Sequence, residues 1–351
     1  MFLESGMRQL ESDDCVFVYE NRGKMTLVVI FVDDIMMIAP DDDEIDCLVK
    51  RCNKAIDIVE TQGDNYLGLK VVLGKDGISI TQEHYAEKVL ERFGMQDAKV
   101  VTSPGVPNQN LDEWGDSPSV DATAYQEMIG SLLYLATVSR PDLAFAVTNL
   151  ARYSKDPHQI HENAVRRVMR YLKGTKSFGI HYAGSRVGKL KGTADASWSV
   201  TADAKSFSGY VVQLGGNLVT WKCKKQDVVA MSSCEAETLA IVSLVKELKW
   251  LQGLIAELKE PDCLQYPVKL YTDSQSAMGV ITNSNTHYRT KHFRRTFAFV
   301  RDEVERGNIV LEYVASECNV ADALTKNVHG PQLSSTLREL YIGPMNERSG
   351  I

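Results

Sequence analysis

Six acidic residues are placed where carboxylates could hold divalent metal ions. Asp33 and Asp34 interrupt an apolar run from Leu27 to Ala39. Two short buried strands joined by a tight turn that carries the acids account for this pattern, with Pro40 closing the second strand. A divalent cation is the natural partner of such a pair, and a hairpin whose acidic tip lies in water is the plainer alternative. The other four acids are Asp195, Glu237, Asp273 and Asp322. Glu237 heads a helical stripe continued by Ala240, Leu244, Leu248, Leu251 and Ile255, so a carboxylate sits on the face that must pack inward. Burying it ionised is costly unless a metal, base or proton compensates. Asp195 and Asp273 end two predicted strands, and Asp322 falls in the first turn of a helix capped by Asn319, a position that suits an anion. Taken singly, each reads as a cap or strand-end acid; taken together, they describe one metal site.

The elements that must position these acids are of two kinds. Residues 1–100 carry the Asp33-Asp34 hairpin, a helix over 43–58, a strand pair around the turn at 74–77 and a helix over 82–93, which is a mixed pattern. Pro104, Pro107 and Pro118 mark an irregular linker, followed by helices over 125–137, 142–153 and 161–172. From Lys189 the order becomes strand, strand, strand, helix, strand, helix, helix, with Gly215-Gly216-Asn217 as a hairpin turn. Ser232 and Glu235 form a capping box, giving Glu235 a structural task at the start of the Glu237 helix.

With 351 residues, 44% of them apolar, the chain can build two to three ordinary domains. Seven cysteines without a C-x-x-C pair argue against a disulfide framework or a zinc knuckle and fit a reducing compartment. No segment has the ~18 apolar residues of a membrane span, and the first residues lack a signal-peptide pattern. A net charge of −7 weighs against nucleic acid as a partner. Bases nevertheless gather at Arg166, Arg167, Arg170, Lys173 and Lys176, at Lys222, Lys224 and Lys225, and at Arg289, Lys291, Arg294 and Arg295. Solvated surface is the plain reading of each cluster.

Phe31-Val32-Asp33-Asp34 resembles the palm hairpin of reverse transcriptases. Tyr66-Leu67-Gly68-Leu69, Ser139-Arg140-Pro141-Asp142-Leu143-Ala144 and Arg170-Tyr171-Leu172-Lys173-Gly174-Thr175 are similar to successive landmarks of copia-type retrotransposon Pol proteins. Thr193-Ala194-Asp195, Ser232-Ser233-Cys234-Glu235-Ala236-Glu237, Tyr271-Thr272-Asp273-Ser274 and Asn319-Val320-Ala321-Asp322-Ala323-Leu324-Thr325-Lys326 resemble the ribonuclease H part of that family. The resemblance implies an α/β (α+β) fold: a partial palm and thumb over 1–103, a linker and helical connection over 104–186, a ribonuclease H-like mixed five-stranded sheet with flanking helices over 187–330, and a tail over 331–351.

It further implies that Asp195, Glu237, Asp273 and Asp322 hold two Mg²⁺ or Mn²⁺ ions and cut the RNA strand of RNA:DNA hybrids, with no small-molecule cofactor. Ser274, Gln275, Arg289, Lys291, His292 and Asn319 are the expected nucleic-acid contacts, and other Pol or integrase subunits are expected partners. The setting would be intracellular, in a cytoplasmic virus-like particle or the nucleus. A non-catalytic nucleic-acid-binding fragment of a decayed element, or a piece of a complete RNA-directed DNA polymerase, are the alternatives. Phe31 in place of Tyr, Thr238 in place of Tyr, Ser197 in place of an acid and Arg294 in place of an acid depart from the family pattern, while the four ligands remain. The palm of the family also uses an Asp on an earlier strand, with fingers before it, and only 32 residues precede Asp33, so Asp33 and Asp34 are read as a polymerase remnant. The expected outcome of a primer-extension assay with dNTPs and Mg²⁺ is therefore no templated incorporation by this chain alone.

Overall fold

A computed structural model describes residues 2–4, 6–21, 23–54, 58–59, 65–184, 188–282 and 294–345. The chain opens with an antiparallel sheet of β1 (Arg8–Gln9), β2 (Val16–Asn21), β3 (Lys24–Phe31) and β4 (Asp34–Ile38), in that spatial order. Helix α1 (Asp42–Cys52) starts where the Asp41 carboxylate accepts from the Glu44 amide, and its Leu48 and Cys52 join Phe2, Met7 and Val28 in a small core. Phe31 pairs with Asp34, so Val32 and Asp33 form the turn and Asp34 begins β4. Val32 has φ +54°, a left-handed conformation that strains a β-branched residue. The expected burial of both strands is not met, because β4 is an edge strand: Ile38 is 50% exposed, and Phe31 and Val32 face solvent.

Strands β5 (Asn65–Tyr66), β6 (Leu69–Gly74) and β7 (Gly77–Thr81) form a meander, followed by α2 (Glu83–Arg92). Helices α3 (Ala122–Val138), α4 (Pro141–Ala151) and α5 (Gln159–Gly174) follow the linker, and β8 (Phe178–Ala183) returns to pair with β7. The basic face of α5 is engaged within the chain: Arg170 Nε donates to Lys99 O at 2.6 Å and Lys173 Nζ to Ala98 O at 2.9 Å. Helix α4 is buried from Pro141 through Val147, and its polar exception is matched by a partner. Asp142 accepts from Arg140 Nε at 2.9 Å and from Nη2 at 2.7 Å, while Arg140 Nη1 donates to Thr175 O at 2.8 Å. Both side chains are essentially sealed from water, so this pair bolts the start of α4 to the end of α5.

The remaining elements are β9 (Leu190–Ser197), β10 (Phe207–Leu214), β11 (Asn217–Lys225), α6 (Ser233–Glu257), β12 (Val268–Thr272), α7 (Gln275–Thr282), α8 (Arg294–Glu305) and β13 (Ile309–Tyr313). Their sheet has the order β11-β10-β9-β12-β13, antiparallel from β11 to β9 and parallel from β9 to β13. This is the mixed five-stranded, ribonuclease H-like arrangement expected from the sequence. One face receives the α6 stripe, whose Ala240, Leu244, Leu248, Leu251 and Ile255 are all buried. The other packs on α4, with Phe145 edge-on to Phe207 at 5.2 Å, and Trp221 Nε1 donates to Ala136 O at 2.9 Å.

Beyond the sheet lie a five-residue 3-10 turn (Val320–Leu324), α9 (Gly330–Glu339) and β14 (Ile342–Pro344). Residues from 331 onward, expected as a tail, are built into the α3–α5 core through Leu333, Leu337 and Leu340, which the three-and-four helical spacing puts on one face of α9. Strand β14 pairs with β8 and completes the sheet β14-β8-β7-β6-β5. Replacing Asp142 with Ala strands the Arg140 guanidinium in this core, so urea unfolding of D142A is expected to show a loss of about 3–5 kcal/mol against wild type.

Candidate metal-binding active site

The acids are brought together by three elements meeting around β9. Asp195 lies inside β9 rather than at its end, directly opposite Gly209 of β10. A Cβ at Gly209 would stand 2.8 Å from both Leu324 and Thr325, so this glycine is what lets the 320–324 turn settle onto the sheet beside Asp195. Gly192 does the same for α6, since a Cβ there would fall 2.7 Å from Leu244. Asn319 caps the turn by accepting from the Ala321 amide at 3.0 Å, which places Asp322 in its first turn as expected, although the element is a short 3-10 helix. Asp273 follows β12, the parallel neighbour of β9. Ser232 caps α6 by accepting from Glu235 N at 3.2 Å, and the Glu235 carboxylate accepts from Met231 N at 2.8 Å; Glu237 stands one turn further in.

One carboxylate oxygen each from Asp195, Asp273 and Asp322 lies within 4.8 Å of the others. Asp195, Asp322 and Glu237 are 4%, 3% and 8% exposed, and Asp273 is half-buried on the open side. Thr325 donates its hydroxyl to Asp195 Oδ2, Asn319 Nδ2 reaches Asp195 Oδ1 at 3.4 Å, Ser316 donates to Asp273 Oδ2 at 2.6 Å, and Lys326 pairs with Asp322 Oδ2 at 2.9 Å. Glu237 Oε2 and Asp322 Oδ1 are buried with no hydrogen-bond partner among the described residues. Burial, reinforced by the Asp322 charge and only partly offset by the Thr325 hydroxyl, pushes the Asp195 carboxyl up to about 7. Burial and then the charges of Asp195 and Asp273 push Glu237 up to about 9. Asp322 is also raised by burial, against the pull of Lys326.

Carboxylate oxygens alone, two of them unsatisfied, form a donor set suited to a hard divalent cation. The structure thus gathers three of the four expected ligands tightly, with Glu237 beside them and electrostatically coupled to all three. Of the expected nucleic-acid contacts, Ser274 and Gln275 directly follow Asp273, and Asn319 reaches Asp195. Ser274 caps α7 by accepting from Ala277 N at 3.2 Å, and Gln275 is exposed next to it. Asn319 is 3% exposed, with its amide turned inward to Asp195 and the turn. Arg289, Lys291 and His292 lie outside the described residues. Asp33 and Asp34 are exposed at their hairpin tip. Sequence reasoning passed over Gly192, Gly209, Ser316, Thr325 and Lys326; of these, Thr325 and Lys326 adjoin Asp322 and could have been found by their place in the turn.

The Val-Asp-Asp hairpin thus lies in one antiparallel sheet, and the converging acids lie on a second sheet of order β11-β10-β9-β12-β13. Residues 2–107 match the family described as reverse transcriptase (RNA-dependent DNA polymerase). The retrovirus-related Pol polyprotein from transposon RE2 of Arabidopsis thaliana is 32% identical over 317 residues, 90% of this chain, and the chain spans 22% of that relative's length. A protein of transposon Ty5-1 from Saccharomyces cerevisiae is 30% identical over 225 residues, 63% of this chain and 73% of its own length. Among solved structures, RNase H1 from Halobacterium salinarum aligns at 16% identity with a TM-score of 0.28, covering 39% of this chain and 95% of that one. The chain belongs to the Pol family of copia-type retrotransposons. None of its helices, among the described residues, is long and apolar enough to cross a membrane.

Both raised carboxyls hold protons in the folded chain that the unfolded chain, with values near 3.8 and 4.5, has released. Their contribution to stability is complete below the unfolded values and is lost as pH rises through about 7 and about 9. In EDTA, urea unfolding should therefore show stability falling between about pH 5 and pH 9, with a shallower fall in Glu237→Gln.

Proposed function

We propose that this chain supplies a divalent-metal-dependent ribonuclease H activity that hydrolyses the RNA strand of RNA:DNA hybrids within a copia-type Pol protein. The observation that carries this reading is the convergence of Asp195, Asp273 and Asp322 beside buried Glu237. Oxygen donors favour Mg²⁺ or Mn²⁺ over zinc, and Glu237 Oε2 and Asp322 Oδ1 are the unsatisfied atoms that such ions would engage. Two such ions, when bound, supply the positive charge that polarises a phosphodiester and eases deprotonation of the attacking water.

The chain's own residues set the stage for that chemistry. Thr325 and Asn319 fix the rotamer of Asp195, and Ser316 fixes Asp273 on the side from which a phosphate can approach. No side-chain nucleophile is required. RNA is told from DNA by its 2′-hydroxyl groups, for which Gln275 and Ser274 beside Asp273 are the assigned contacts, whereas Asn319 acts as a support. Arg289, Lys291 and His292 are assigned to backbone phosphates. Asp33 and Asp34 are assigned to the polymerase centre of the full Pol protein, whose other subunits, including integrase, are the proposed protein partners.

The purified chain should cleave the RNA strand of a hybrid with Mg²⁺ and stop in EDTA. Asp273→Asn should slow cleavage by more than about a hundredfold, since loss of mere supporting residues around a metal already costs 10–100-fold. Hybrid binding without cleavage, unchanged by Asp273→Asn, overturns the reading and leaves a non-catalytic binding fragment.

A further inference from the structure

The acid cluster contains a cation of its own, and nothing in the proposed reaction has used it. Lys326 follows the 320–324 turn at i+4 from Asp322, its ammonium 2.9 Å from Asp322 Oδ2, and its field also reaches Asp195 and Asp273. The two ends of this pair differ sharply in environment. Asp322 is sealed, with 5% of its side chain exposed, whereas half of the Lys326 side chain lies in water. Asp322 cannot leave without dismantling the turn, because Val320 through Leu324 are buried around it. Lys326 can swing out on a flexible stem into the water that already bathes half of its side chain, once another cation balances Asp322.

We propose that Lys326 is a resident counter-ion of the acid cluster that balances the Asp322 charge in the metal-free chain and is displaced as a divalent ion enters, and that it thereby sets the site's affinity for Mg²⁺. This rests on the metal-binding reading above. A monovalent ammonium stabilises the converged acids less than a divalent ion does, so the pocket stays assembled without being locked against its metal. Lys326 is in this role a positioning residue, since it acts through Asp322 and touches no reacting atom. Its removal should loosen the metal-free site and tighten the metal-loaded one, two effects of opposite sign that a purely structural salt bridge does not produce.

The test is thermal unfolding of the full chain, without nucleic acid, across a Mg²⁺ titration, with the titration repeated by calorimetry. Lys326→Met should lower the melting temperature in EDTA and shift the Mg²⁺ midpoint roughly tenfold toward lower concentration. Lys326→Arg, which keeps the charge, should restore a midpoint close to wild type. Should K326M not fold, Lys326→Gln, which can still donate a hydrogen bond to Asp322, carries the same comparison. An equal or weaker Mg²⁺ midpoint in the uncharged variant overturns this inference while the metal site stands. A wild-type chain with no Mg²⁺ response overturns the metal-binding reading and this inference together.

Discussion

Everything about the C-terminal half turns on holding mutually repelling carboxylates in a place that water hardly reaches. Asp195 and Asp322 are each less than 5% exposed and lie within reach of Asp273. Such a group cannot be stable on its own account, because burial and like charge both oppose ionisation. It is held by apolar packing on both sides of β9. The α6 stripe presses on one face through Gly192, and the 320–324 turn presses on the other through Gly209. Two missing side chains thus create the space in which the acids meet.

That arrangement ties the acid cluster to parts of the chain distant in sequence. The turn that carries Asp322 shares a core with α4, α9 and β10–β11, and this core is continuous with the helices of the middle region. Phe145 against Phe207 and Trp221 against Ala136 make the sheet lean on α3 and α4. The Arg140–Asp142 pair then fixes α4 to α5. The sheet is therefore not self-contained here: α4 and α9 pack against the turn that carries Asp322.

How far the sequence could be read follows from what periodicity reports. The Glu237 stripe was legible because a helix shows its buried face as a three-and-four spacing, and the Gly215-Gly216-Asn217 turn because its chemistry is local. The basic face of α5 misled, since spacing identifies a face but not what covers it; residues 98–99 cover part of this one through backbone carbonyls. Asn319 was legible as a cap and illegible as a buried clamp on Asp195, a contact across 124 residues. Leu333, Leu337 and Leu340 carry the same spacing as the α6 stripe, but over so short a segment that spacing does not tell a docked helix from a tail. The exposure of β4 could not be seen because an apolar strand reads alike at the edge or the centre of a sheet.

A pocket whose acids repel must have its charge balanced by something, and this chain has two means of doing so. One is the proton: with Glu237 at about 9 and Asp195 at about 7, the metal-free cluster carries less negative charge near neutrality than four free carboxylates would. The other is the Lys326 ammonium on Asp322. Both are monovalent, and both act on residues whose backbone is already fixed by the turn and the central strand. The geometry is consequently set by packing, and the charge is balanced by whichever cation is present. Pre-assembly of this kind removes the ordering cost that an occupant of the pocket would otherwise meet.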